Sequence, residues 1–186
     1  YSEAFKVLDL VNKERAKQGA SPLKMDASLL DTAMLRGFEN VLYWSHTRPS
    51  GGQCFSANSL MYGENIAYGS STAEGVMNQW MNSEGHRANI LSKGFTTIGI
   101  GCVCLNNAYY WVQCFGEDLS TEAVRKSYSD RNNSRTVLVK KDPEYYKASL
   151  YISKTVLKKG QTAKVRVRWD DSLLLNNSGA EFKSSN

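Results

Sequence analysis

Histidine is nearly absent from this chain: His46 and His86 are the only two among 186 residues. Proline is almost as scarce, at three residues, and the 14 glycines follow no short period, which excludes a collagen-like or low-complexity chain. The four cysteines, Cys54, Cys102, Cys104 and Cys114, are too few for a disulfide-dense miniprotein. They are nevertheless an even set with three pairings open to it, which points to an exported protein carrying disulfides. Long apolar runs are missing as well. The longest uncharged stretch, residues 94–116, is interrupted by Asn106, Asn107 and Gln113, so no segment suits a membrane-spanning helix. No secretory leader opens at Tyr1, as expected of an exported chain that has lost one. Phosphate-cradling glycine loops, dinucleotide fingerprints, nucleic-acid modules and the HExxH helix of zinc proteases are all lacking, so nucleic acid is not an expected partner.

What is present describes a chain able to bury a core, with 41% hydrophobic and 22% charged residues. Its charge is uneven. Residues 1–120 carry 9 Lys+Arg against 11 Asp+Glu, net −2, whereas residues 121–186 carry 14 against 7, net +7. This shift suggests a main domain over 1–120, a polar linker over 121–147 and a basic β-hairpin arm or partial β-module over 148–186. In the arm, Val165, Val167 and Trp169 alternate with Lys164, Arg166 and Arg168, which suits a strand with one cationic face. An anionic cell-wall polymer is the partner such a face would attract. A solvated surface explains the same charges more plainly.

The first 120 residues read as helices followed by strands. Ser2 as a cap, with Phe5, Leu8 and Val11 at helical spacing, predicts a first helix that stops at Gly19. Asp26 caps a second, with Leu29, Leu30, Ala33, Met34 and Phe38 along one stripe. Residues 48–63, rich in Gly, Ser and Asn, form a long surface connection. Ser71 and Glu74 fit a capping box that opens a third helix burying Val76, Met77, Trp80 and Met81, and a short helical turn follows with His86, Ile90 and Leu91. From Thr96 the period becomes two, and Asn106-Asn107 joins two β-prone runs into a hairpin, because Asn tolerates the positive φ of a primed turn. In that hairpin Cys102 and Cys104 face one side and Cys114 the other, leaving the pairing of the cysteines open. Neither face of the hairpin is polar, so both are covered. The fold class is therefore α+β: a three-layer α-β-α sandwich with a small C-terminal β-rich extension.

Chemistry concentrates on few residues. Each histidine lies outside a plainly periodic apolar segment, and each has a candidate carboxylate: Glu64 in Gly63-Glu64-Asn65-Ile66-Ala67, and Glu84 two residues before His86. Imidazole transfers protons near neutral pH and ligates metals, while a glutamate orients an imidazole or accepts a proton. Two half-exposed loop histidines with no common site are the plainer reading. If His46 and His86 meet, they could hold a divalent metal such as zinc, with Glu64 as a further ligand or as the group that orients a ring. Ser45, Ser83 and Cys54 neighbour these bases, but adjacency along a chain is not geometry, and Cys54 reads first as a disulfide partner or a small buried hydrophobe. Trp44, Trp80 and Trp111, with Tyr43, Tyr62, Tyr68, Tyr109 and Tyr110, would line a sugar or lipid groove if exposed; such residues more often belong to the core.

The ordered motifs Trp44-Ser45-His46-Thr47-Arg48, Gly63-Glu64-Asn65-Ile66-Ala67, Trp80 through Leu91, Ile98-Gly99-Ile100-Gly101 and Tyr110 through Gly116 resemble the bacterial branch of the CAP superfamily of cysteine-rich secretory, antigen 5 and pathogenesis-related proteins. The resemblance covers about residues 2–119. It implies the same three-layer sandwich, a secreted or cell-surface setting, and a central cleft lined by His46, Glu64 and His86. For the fourth cleft position Glu84 and Ser83 are rivals, since the familiar glutamate three residues after the helix tryptophan is Ser83 here. The function expected is that of a monomeric binding or interaction module for a small-molecule, lipid, ion or cell-envelope ligand. The alternative is a metal-assisted, peptidase-like hydrolase using His46, His86 and Glu64 to activate water, with Glu84 as acid or base.

Overall fold

The computed structural model describes residues 1–128 and Val137, and the backbone alone of four strands farther along. Helix α1, Ser2–Lys17, buries Phe5, Val7 and Val11 and ends where Gly19 turns left-handed at φ +62°. Its first helical residue is Ser2, so the cap position falls to Tyr1 and no side chain caps it. Helix α2, Ala27–Leu42, begins at Asp26, whose side chain accepts from the Leu29 N–H at 2.8 Å. Helix α3, Ala73–Met81, is capped by Thr72 rather than by Ser71. Thr72 has the extended backbone of a cap and accepts from Gly75 N–H at 3.1 Å, which leaves Glu74 one position early for a capping box. Helix α4, Glu84–Leu91, follows after two residues.

The sheet consists of β1 (Lys24–Met25), β2 (Gly63–Tyr68), β3 (Thr97–Leu105) and β4 (Ala108–Gly116), in the order β1-β3-β4-β2. The β3–β4 hairpin turns at Asn106 and Asn107, at φ 50° and 61°, as their sequence predicts. Two strands were not foreseen. β1 runs parallel to β3, and β2 pairs antiparallel with β4, making β2 an edge.

The registers sort the side chains into two layers. Glu64, Ile66, Gly99, Gly101, Val112 and Cys114 share the face toward α2. Asn65, Ala67, Ile98, Ile100, Trp111, Gln113 and Phe115 share the other, where the apolar members join α1, α3 and α4 in the larger core. The three-layer α-β-α arrangement is thus the fold. Disulfides are not: all four cysteines are free thiols. Cys102 and Cys104 lie on the face opposite Cys114, whose neighbour across the ladder is Gly99, so no pair meets within the hairpin.

Residues 121–128 pack onto the domain. Ala123 N–H bonds to Met25 O at 2.8 Å, α5 (Arg125–Tyr128) follows, and Arg125 reaches Phe5 O and Asp9 on α1. Asp26 is the hub of this closure, its second oxygen accepting from the Ser120 amide and hydroxyl at 2.7 Å each and from Thr121 at 3.2 Å. Burial alone would raise the Asp26 carboxyl, but the bonds from Ser120, Leu29 and Thr121 outweigh it and hold the group below its ordinary value. Such a lowered group contributes stability above its unfolded pKa and loses it as pH falls through the folded one. Asp26→Ala is expected to cost about 2 kcal/mol at neutral pH and less in acid, measured by urea denaturation at both.

Farther along, β5 (Ala148–Ile152) and β6 (Ala163–Trp169) pair antiparallel, and β7 (Leu173–Leu174) and β8 (Ala180–Phe182) pair with β6. The cationic face expected of Lys164, Arg166 and Arg168 falls outside the residues whose side chains are described.

Candidate functional site

Both histidines come to the β2 edge of the sheet, one from each helical layer. After α2 the chain makes a narrow loop in which Thr47 bridges antiparallel to Gln53 and Arg48 N–H bonds to Gly52 O at 2.7 Å. This places His46 and Cys54, the next pair outward, opposite each other. His46 Nδ1 lies 2.8 Å from Glu64 Oε1, and the donor atoms of His46, Cys54 and Glu64 all fall within 4.8 Å of one another. The His46 side chain is 54% exposed, whereas Glu64 and Cys54 are buried behind it.

Glu64 is held from below. Arg36, fully buried, donates from Nε to Glu64 Oε2 at 2.7 Å and from Nη2 to Oε1 at 3.2 Å. Its Nη1 reaches Glu39 at 2.6 Å, and Nη2 also donates to the Ser45 carbonyl at 2.7 Å. Arg48 closes the network on Glu39 at 2.7 Å. Burial works against the charge on Arg36, but Glu64 and Glu39 more than offset it and raise its pKa.

On the other layer, Asn65 donates to the His86 carbonyl at 3.0 Å and to Gln113 Oε1 at 2.9 Å, while Asn89 donates to Asn65 Oδ1 at 2.9 Å. Asn89 thus ties α4 to β2, and Arg87 reaches back to Met81 O at 2.8 Å. Gln113 Nε2 is buried beside this network with no partner among the described residues.

The two imidazoles are driven apart in charge. Hydrogen bonding to Cys54 and then to Glu64 raises His46 to about 9 against the cost of partial burial. Burial, and after it the charge of His46, lowers His86. The two shifts thus run in opposite directions, His46 toward the cationic form and His86 toward the neutral one. In chelator-treated protein the His46 ring protons are expected to titrate with a midpoint near 9 by NMR, and Glu64→Gln to bring it back toward the ordinary 6.5. The raised value means that its contribution to stability is complete below about 6.5 and lost as pH rises through about 9. A wild-type midpoint below 7 would contradict this pairing.

Of the residues singled out from sequence, the fold brings His46 against Glu64 at 2.8 Å, while His86 is tied to β2 through its carbonyl, which accepts from Asn65 at 3.0 Å. Ser83 precedes α4 without a side-chain capping bond, and Glu84 is exposed in its first turn. Among the described residues neither side chain bonds to a histidine. Sequence reasoning missed Arg36, Glu39, Arg48 and the part played by Cys54. A signal for Arg36 was there: it sits on the stripe Leu29, Ala33, Arg36, Asn40, where a charge on a buried face demands partners.

The aromatic residues range from core to exposed, with Tyr43, Tyr109 and Tyr110 between. Trp80 and Trp111 are core, fully buried, whereas Trp44 is 48% and Tyr68 53% exposed. Trp44, Tyr68 and Tyr110 form a three-ring shelf with centroids 5.0–6.1 Å apart in edge-on or tilted contact. Trp44 stands two residues from His46, and Tyr68 shares strand and face with Glu64.

The family model described as CAP, cysteine-rich secretory protein family, matches residues 8–115. The chain belongs to the CAP family. It is 41% identical over 118 residues to the uncharacterized protein YkwD of Bacillus subtilis, an alignment covering 59% of this chain and 45% of YkwD. The chain thus spans less than half the length of that relative. Among solved structures, an extracellular SCP-domain protein from Bacillus anthracis is similar at TM-score 0.57 and 27% identity, covering 62% of this chain and 40% of that one. An outer surface protein of Borrelia burgdorferi shares the fold at TM-score 0.52 and 18% identity, with 62% and 92% covered. The structural neighbours of this CAP domain are thus extracellular or surface proteins. Among the described residues no helix is long and apolar enough to cross a membrane.

Proposed function

We propose that this CAP domain is an extracellular binding module that holds a cell-envelope glycan along the β2 edge, with one sugar ring stacked on the Trp44–Tyr68–Tyr110 shelf and neighbouring hydroxyls on His46 and His86. The observation that supports this most is the shelf itself. Large aromatic rings locked against each other, with Trp44 and Tyr68 half exposed, offer flat contact area at little cost in rotamer freedom. A pyranose presents a CH face to such a ring and hydroxyls to its rim, which in this reading meet tyrosine phenols and the imidazoles. An acyl chain would instead favour an enclosed apolar pocket.

Calorimetry with soluble peptidoglycan fragments tests the proposal. Trp44→Ala is expected to weaken binding about tenfold, the worth of one aromatic contact of about 1.4 kcal/mol. Equal affinity in wild type and variant, or no binding by either, refutes the glycan reading. The second reading, a hydrolase, draws on His46 held against Glu64 at 2.8 Å. It requires released product in the same mixtures, abolished by Glu64→Gln.

A further inference from the structure

We propose that His46, Cys54 and Glu64 form a thiolate-containing site for zinc or a similar borderline-soft divalent ion, with Cys54 rather than His86 completing it. The donor set is a product of topology. The Thr47–Gln53 bridge sets Cys54 opposite His46, and β2 presents Glu64 beneath them. Nitrogen, sulfur and oxygen lie within 4.8 Å of one another, the nitrogen–oxygen separation being 2.8 Å. Tetrahedral zinc with bonds of about 2.0–2.3 Å needs donor separations of roughly 3.3–3.7 Å; the nitrogen–oxygen pair is closer than this at 2.8 Å, and no pair is farther apart than 4.8 Å. Small shifts of the exposed ring would open room for the ion.

The surroundings fit such a site. Arg36 grips the carboxylate chiefly through Oε2 at 2.7 Å and at the longer 3.2 Å through Oε1, while Oε1 faces His46 at 2.8 Å, as an outer hydrogen bond orients a ligating carboxylate. Arg36 is itself shared with Glu39, so it does not cancel Glu64 alone. With two donors buried and the imidazole half in solvent, three protein ligands and a water would complete a four-coordinate ion. A sulfur ligand favours zinc over magnesium or calcium. Cys102 and Cys104 lie on the opposite face of the sheet and cannot contribute. Binding a divalent ion forms bonds to sulfur, nitrogen and oxygen and releases the Cys54 thiol proton and the proton shared by His46 and Glu64, with no change of oxidation state.

The test uses the full chain, reduced and freed of metal with chelator. Cobalt(II) is expected to give the near-ultraviolet thiolate-to-cobalt charge-transfer band at one equivalent. Cys54→Ser should abolish it, His46→Ala should weaken binding at least about tenfold, and His86→Ala should leave both intact. For wild type loaded with zinc, X-ray absorption is expected to find one sulfur neighbour at about 2.3 Å, a reading that needs no variant to fold. A band that survives Cys54→Ser, a zinc shell of nitrogen and oxygen alone, or binding that depends on His86 and not on Cys54 overturns the proposal. Trp44 takes no part in it, so either proposal can fail without the other.

Discussion

Gly99→Ala is expected to lower the free energy of unfolding by more than about 3 kcal/mol, read from the urea midpoint at unchanged slope. Helix α2 lies on β3 with Leu29, Ala33 and Gly37 above Gly99, Gly101 and Val103 in turn. Four helical residues advance about 6 Å and two strand residues about 6.6 Å, so the steps keep pace along the contact. A Cβ at Gly99 would stand 2.0 Å from the carbonyl carbon and oxygen of Leu29, and one at Gly101 2.4 Å from those of Ala33. Backbone atoms in a packed helix cannot yield as a side-chain tip does, so α2 as a whole would have to lift. Because α2 also carries Arg36 and Glu39, the same variant should disturb the His46 titration. Gly85→Ala is the control: it lies exposed in α4 with open space at its Cβ position and should be neutral or stabilising by up to about 1 kcal/mol. An unchanged midpoint for Gly99→Ala would mean that α2 slides on the sheet.

Sequence periodicity revealed α1, α2, α3 and the β3–β4 hairpin because each carries one dominant period, helped by a residue that ends α1 (Gly19), starts α2 (Asp26) or turns the hairpin (Asn106–Asn107). It hid β2 for a physical reason. Gly63 through Ala67 are all buried, so no alternation marks the strand, and its polar members Glu64 and Asn65 look like loop residues until partners appear on both layers. His46, Glu64 and His86 were legible as an ordered set of motifs. Of their support only Arg36 leaves a sign, a charge on the buried stripe of α2; Glu39 comes near through the packing of α2 and Gln113 through the register of β2 against β4. Cys54 was read as a disulfide partner or a small core residue. Its role follows from a two-residue bridge in a loop of Gly and Ser, where no pattern in sequence fixes the pairing.

Arg36→Met is expected to cost about 3–5 kcal/mol, with Glu64→Gln also strongly destabilising and the double variant less so than the sum of the two. The reason is desolvation without compensation. Arg36 and Glu39 have no exposed side-chain surface and Glu64 almost none, so removing the guanidinium strands two buried carboxylates. They are not stranded equally. Glu39 keeps Arg48 at 2.7 Å, whereas Glu64 keeps only His46 at 2.8 Å as a charged partner. Lysine at position 36 should not rescue the loss, since one ammonium cannot serve Glu64, Glu39 and the Ser45 carbonyl in the plane that the guanidinium spans. The His46 midpoint carries a further sign. Taking away the neighbouring positive charge favours the protonated ring, so in Arg36→Met the midpoint should move above its wild-type value of about 9. The variant should then lose stability faster than wild type as pH rises through that midpoint, because deprotonation removes the last cation beside Glu64. A midpoint that falls instead would mean that Glu64 has swung away from His46, and that Arg36 positions the carboxylate as well as neutralising it.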